Sequence, residues 1–405
     1  MTPDPASAAA IRIAEVLPEL IELRHAIHQH PELKYEEEQT AARVCDALEG
    51  LPGMELRTGV AGTGVVATLG AERQGEGIAL RADMDALPMP EQTGKPWASR
   101  VPGKMHACGH DGHVTCLVGA ARVLASMAER LGGPVKFIFQ PAEEGGAGGR
   151  RMCEEGVLEN PSVAAIFGLH AWPELPQGEV GLRPGAALAS ADGLQIQVTG
   201  RGAHAAYPHM GIDPILIASH IVVALQSVVS RNVDPQDSAV VTVAQIAGGT
   251  AGNIIPPEVT LQGTIRSLNP DTRSLLWERV ESVATHTARA MGGAATTRID
   301  EGYPALANDV RAHDLVARVL EEPGIPLSGR LVPPVMGAED FAYYAERVPA
   351  MFSNLGIRPP GGDSHPHLHQ PDFDFPDEAL PLGVRLHVEV VLRFWDLWPQ
   401  LAETA

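Results

Sequence analysis

Ile78-Ala79-Leu80-Arg81-Ala82-Asp83-Met84-Asp85 is a short apolar run that ends on two carboxylates. A run of this length between turn residues reads as a buried strand, and the carboxylates mark its end. Similar short runs stand at Gly64–Leu69, Val135–Phe139 and Val163–Leu169. A helical pattern fits between two of them, at His113 to Arg130. Strands alternating with helices predict an α/β sheet covered on both faces. Upstream, apolar residues recur at Ile13, Val16, Leu17, Leu20, Ile21 and Leu23, then at Ala41, Val44, Cys45 and Leu48. That spacing predicts helices over residues 11–48, interrupted at His30-Pro31-Glu32.

The middle of the chain follows another plan. Gly193–Thr199, Ala239–Ile246, Glu258–Ile265 and Ala295–Asp300 read as strands. A helix over Ile215–Ser230 starts at Asp213-Pro214, and another, running to Met291, starts at Asn269-Pro270. In both, a capping side chain precedes a proline suited to the first helical turn. The order β-α-β-β-α-β is that of a ferredoxin-like unit. The predicted organisation is an α/β domain over 1–186, an inserted α+β domain over 187–302, and the α/β domain again over 303–405.

The chain has 405 residues, of which 44% are hydrophobic, enough for packed cores. Its 42 glycines and 34 prolines are scattered, which predicts many turns. A net charge of -20 argues against nucleic acid or an anionic membrane as partner. The N-terminal residues lack a signal-like apolar stretch, and Ile215–Val229 is too short and polar to span a bilayer. A cytoplasmic location is expected. The four cysteines, Cys45, Cys108, Cys116 and Cys153, show no disulfide-framework spacing.

Groups able to bind metal cluster at or near strand ends: Asp83-Met84-Asp85, Glu143-Glu144, His170, and the run His106-Ala107-Cys108-Gly109-His110-Asp111-Gly112-His113. Each acid alone reads as a turn residue, and His170 alone as an ordinary loop histidine. Ligands of open α/β sheets gather outside the carboxyl ends of the strands, so these distant segments can meet at one edge. Cys108-Gly109-His110 stands out, because glycine allows a thiolate and an imidazole to face one point. Cys, His and carboxylate together suit a transition metal. A closed structural zinc site or a deaminase site would need Cys-x-x-Cys pairs, which the sequence lacks.

Several motifs in order carry a family resemblance. They include Arg24-x-x-x-His28-Gln29-His30-Pro31-Glu32, Arg81–Pro88, His106–His113, Gln140–Glu144 and Gly168-Leu169-His170. Gly200–Ala206, Gly248–Pro256, Ala338-Glu339-Asp340-Phe341 and His369–Phe373 continue the series. Together they resemble the M20 peptidase-related amidohydrolases, in the branch of hippurate hydrolases, aminoacylases and auxin-conjugate hydrolases. The resemblance implies a phosphorylase/hydrolase-like catalytic domain with a mixed sheet, and an inserted lid and dimerisation domain. It implies two divalent metal ions per subunit, manganese, zinc or cobalt, held by Cys108, His110, Glu144, His170 and His369. His365 and His367 compete with His369 for the last position; His369 directly precedes the matching Gln370-Pro371-Asp372-Phe373. Glu143 is implied as general base, His204 as the residue that stabilises an oxyanion in a neighbouring subunit, and Asn253 and Arg266 as substrate-carboxylate contacts. The implied reaction is hydrolysis of small N-acyl-amino acids by a homodimer or homotetramer. The alternatives are a metallodipeptidase or carboxypeptidase of the same family, or a non-catalytic metal- or ligand-binding protein.

Overall fold

The computed structural model describes residues 5–402, which fall into two compact units. One unit takes the chain up to Gly185, then Ala307–Pro333, then Asp340 onward. The other takes Ala186–Leu306 and Pro334–Glu339.

In the first unit the run that begins at Ile78 forms the strand Gly77–Asp83, buried at every residue. A strand this apolar has to be covered on both faces. It lies between Val135–Gln140 and Val163–Pro176, parallel to both. Ala350–Arg358 runs parallel to Val163–Pro176 on its far side. Gly64–Leu69 and Met54–Val60 extend one flank in antiparallel register, while Glu179–Leu182 and Ser328–Leu331 extend the other. The result is an eight-stranded mixed sheet. Its core helix, His110–Ala125, packs against the helices Pro5–His28 and Leu380–Ala402. Gly119 allows this, because a Cβ there would lie 2.6 Å from Val384 and 2.7 Å from Leu20.

Three sequence readings shift. The core helix begins at His110 rather than His113 and ends at Ala125, with a separate 3-10 turn at Ala128–Arg130. The strand from Val163 continues to Pro176, so His170 lies within it and not beyond its end. The Pro214–Asn232 helix has 19 residues, and by length and composition alone it is long and apolar enough to cross a membrane. Its Ile217, Ile221, Leu225 and Val228 are instead buried in the core of the second unit. The stretch read from sequence, Ile215–Val229, is shorter than the helix, which also takes in Pro214 and Ser230-Arg231-Asn232.

The second unit is a four-stranded antiparallel sheet in the order Ala239–Ala247, Glu258–Ser267, Ala191–Thr199, Ala294–Tyr303. With the helices Pro214–Asn232 and Pro270–Ala290 this is the ferredoxin-like arrangement. Asp213 accepts the N–H groups of Ile215 and Leu216, and Asn269 those of Asp271 and Thr272. Both caps stand where the sequence placed them, each worth about 1 kcal/mol.

Candidate metal centre and active site

Register across the parallel strands sets the site. Asp83 pairs with Gln140, and His170 with Asn354. Glu143 and Glu144 follow Gln140 after only Pro141 and Ala142, so the carboxylates and His170 reach the same edge. Gly109, at φ 87, caps the core helix and turns the chain so that Cys108 and His110 face this edge.

Cys108, His110 and His170 offer ligand atoms within 4.8 Å of one another, and all three are buried. Cys108, Glu144 and His369 form a second such group, and His110, Glu143 and Glu144 a third. Cys108 Sγ lies 3.5 Å from His170 Nε2. His369 Nε2 lies 3.2 Å from Glu144 Oε1, and the His369 N–H donates to the Ala107 carbonyl at 2.8 Å. His365 and His367 point elsewhere: His365 packs on Phe373, and His367 pairs with Glu174 at 2.9 Å.

The donor set fits metal. His110 Nδ1 donates to the Asp85 carbonyl at 2.8 Å, and His170 Nδ1 to the Ala171 carbonyl at 2.9 Å. Each ring therefore presents Nε2 to the cluster, the geometry in which an outer hydrogen bond fixes a ligand histidine. His110 Nε2 is buried with no hydrogen-bond partner among the described residues. A buried polar atom of this kind needs a partner.

The charges favour a cation. Burial opposes a charged His110, but Asp83, then Asp85 and Glu144, outweigh it and raise its pKa to about 10. Burial lowers His170 to about 4, against the pull of Asp83. Despite its burial, Glu144 is held below the usual carboxylate range by His369 and His110.

A ring of residues outside the implied ligand set supports this cluster. The two Asp85 carboxylate oxygens accept the N–H groups of Glu143 and Glu144, each at 2.9 Å. The Asp340 N–H donates to Glu143 Oε1 at 3.4 Å. The Asp340 carboxylate in turn accepts from Arg81 at 2.9 Å and Gly149 at 2.8 Å. His113 Nδ1 donates to Asp83 at 2.7 Å, and its Nε2 accepts the Ala171 N–H at 2.9 Å. Asp83 and Asp85, both candidate ligands from sequence, are thus engaged with neighbouring protein groups. Asp111 binds Arg24 at 2.9 Å and His28 at 2.8 Å, while burial keeps His106 neutral, with a pKa of about 3.

The carboxylate turn is bent. Ala142 at φ 57 and Ala147 at φ 54 are both left-handed without being glycine. Such residues cost on the order of 1–3 kcal/mol each and persist only where the surroundings hold them.

His204, Asn253 and Arg266 belong to the second unit. Its two-stranded ribbon pairs Ile254 with His204, and the Ala205 N–H donates to the Asn253 carbonyl at 3.0 Å, so His204 and Asn253 are neighbours. The exposed His204 accepts the Ala206 N–H at Nδ1, 3.1 Å away, which leaves Nε2 as the donor of the neutral ring. Arg266 lies on the central strand Glu258–Ser267, opposite Val240.

Residues 79–393 match the model of peptidase family M20/M25/M40. The chain belongs to this family. It is similar to an IAA-amino acid hydrolase of Arabidopsis thaliana, 42% identical over 93% of this chain and 85% of the relative. An N-acetyl-L-cysteine deacetylase of Bacillus subtilis is 39% identical over 91% and 86% of the two chains. Among solved structures, a Bacillus subtilis protein described as a dinuclear metal-binding peptidase of family M20 superposes with a TM-score of 0.83. It is 33% identical and covers 95% of this chain and 99% of its own. The M20 chain is a hydrolase of amide bonds, and the buried Cys108, His110 and His170, with the half-buried Glu144 and the exposed His369, form a candidate dinuclear centre.

Proposed function

We propose that this M20 hydrolase cleaves the amide bond of small N-acyl-amino acids, hippurate-like compounds among them, releasing a carboxylic acid and an amino acid. The observation that carries the reading is the convergence of Cys108, His110, Glu144, His170 and His369 beside Glu143, with His110 Nε2 buried and without a hydrogen-bond partner among the described residues. These five residues would hold two divalent ions, with Cys108 common to two of the ligand groups. Cys108 suits zinc or cobalt, and the carboxylates also accept manganese. When bound, the ions would polarise the amide carbonyl and lower the pKa of the attacking water toward neutrality.

The chain's own groups do the rest. Glu143, backed by the Asp340 N–H, takes a proton from the attacking water and passes it to the leaving nitrogen. Glu144 differs from its neighbour by facing His369. On the family resemblance, His204 donates to the developing oxyanion in the site of a neighbouring copy, which makes a homodimer or homotetramer part of the proposal. Asn253 and Arg266 hold the substrate carboxylate, for which the guanidinium is a planar donor fork.

The test is hydrolysis of hippurate, N-acetyl-amino acids and an indole-3-acetyl-amino acid beside free-amine dipeptides, with manganese, cobalt or zinc supplied. Turnover of the acylated compounds is expected. Turnover of the dipeptides alone would overturn the substrate class, and no turnover with metal bound would overturn the enzymatic reading.

A further inference from the structure

Three residues of one loop converge on the carboxylate turn. The loop joins the helices Pro5–His28 and Glu38–Leu48. Glu37, fully buried, accepts the Ala142 N–H at 2.8 Å with one carboxylate oxygen and the Thr63 hydroxyl at 2.5 Å with the other. The Tyr35 hydroxyl donates to the Gly146 carbonyl at 2.6 Å. Lys34 Nζ reaches the Gly145 carbonyl at 3.5 Å. The loop is itself fastened to the strand edge, since the Ala86 N–H donates to the Glu32 carbonyl at 2.8 Å, one residue after Asp85.

The turn is therefore gripped from two sides. Asp85 holds the N–H groups of Glu143 and Glu144, and Glu37 holds that of Ala142, the left-handed residue that aims both side chains. Space is short as well. A Cβ on Gly146 would lie 2.6 Å from Ala142 Cβ and 3.1 Å from the Tyr35 ring, so the turn closes directly on Tyr35.

We infer that Glu37, assisted by Tyr35, is a positioning residue for the reaction: it holds Ala142 left-handed and so sets the direction of the Glu143 and Glu144 carboxylates. Neither residue touches the reacting atoms. A small displacement of a catalytic group suffices to cost about 10²-fold in rate. Without the Glu37 acceptor, Ala142 relaxes toward an ordinary conformation and both carboxylates swing from the edge. This inference rests on the proposed roles of Glu143 and Glu144.

The test compares wild type with Glu37→Ala, Glu37→Gln and Tyr35→Phe. Glutamine keeps an oxygen to accept the Ala142 N–H and an amide to meet Thr63, so it should restore most of what alanine loses. Full-length protein is stripped of metal and titrated with cobalt(II), followed by its visible absorption, and kcat and KM are measured separately. Glu37→Ala is expected to lower kcat by about 30- to 100-fold with KM within threefold of wild type, and to weaken cobalt binding about tenfold. Tyr35→Phe, which removes only one hydroxyl, should give the same pattern at about three- to tenfold and serves if Glu37→Ala does not fold. Equal losses for alanine and glutamine, or Tyr35→Phe with unchanged kcat and cobalt affinity, would overturn the inference. Failure of wild type itself to bind cobalt would instead overturn the metal reading on which it rests.

Discussion

Asp85 links Glu143 to His110: its carboxylate accepts the Glu143 N–H at 2.9 Å, and its carbonyl accepts the His110 ring N–H at 2.8 Å. One residue thus ties the proposed base to a proposed ligand. Asp85→Ala leaves the N–H groups of Glu143 and Glu144 without that acceptor, at about 1–3 kcal/mol each where they stay buried and unpaired. Expected are a lowered denaturation midpoint and a fall in kcat/KM of about 10²-fold, measured by urea unfolding and steady-state kinetics. A variant with both unchanged would show that the turn is held without Asp85.

Glu143→Gln separates base chemistry from metal holding. Glutamine keeps the shape but takes up no proton. Turnover should fall by about 10²- to 10⁴-fold while metal content, measured by elemental analysis, stays at the wild-type level. Hydrolysis within a few-fold of wild type would reassign the base.

His369 and His367 stand two positions apart and face different partners, Glu144 and Glu174. His369→Ala should lose bound metal and activity. His367→Ala, removing only an exposed contact to Glu174, should leave both near wild type. The reverse result would exchange the two residues in the ligand set.

Metal affinity should rise with pH. With no ion bound, His110 has a pKa of about 10, so at neutral pH it is protonated and an incoming ion has to displace that proton. Affinity then increases about tenfold per pH unit for each proton released. Calorimetric titration in buffers of different ionisation heat counts those protons. A pH-independent affinity between pH 6 and 8 would remove His110 from the ligands.

Global stability carries a different pH signature through His28. Burial opposes its charge, but Asp111 and Glu91 raise its pKa to about 9. The unfolded value is near 6.5, so the contribution is present in full below that pH and is lost as pH rises through 9. His28→Gln should therefore lie furthest below wild type near pH 6, with the gap closing by pH 9.5. Urea unfolding at several pH values measures it. A gap that widened with pH would contradict the charged pairing.

Much of this was legible in the chain itself. Strand runs followed by acids located the sheet edge, because buried parallel strands are apolar and their ends are where polar groups can first appear. Asp213-Pro214 and Asn269-Pro270 marked two helix starts, because capping is local chemistry. The Cys108-Gly109-His110 turn was readable for the same reason. The role of His113 was not, since its partners Asp83 and Ala171 come from two separate strands. Glu37 was equally opaque: its partners lie at Thr63 and Ala142, and nothing in Lys34-Tyr35-Glu36-Glu37 distinguishes the buried acid from the exposed one beside it. The apolar run Val163–Leu169 stops at His170, yet pairing with Ala350–Arg358 carries the strand on to Pro176, and such pairing is not written in the run itself.

The position of Ala350–Arg358 sets the order in which the protein can be completed. This strand lies between Val163–Pro176 and Glu179–Leu182, which are neighbours along the chain. During synthesis those two strands emerge first, and the whole Ala186–Leu306 segment follows before the strand that separates them exists. The inserted unit, whose four strands and two helices come from one continuous stretch, can fold while the larger sheet is still open. The larger sheet has to wait with a gap in its middle, exposing apolar strand edges that late closure must fill. Nascent chains stalled before residue 350 should therefore show a protease-resistant inserted unit and a susceptible first unit.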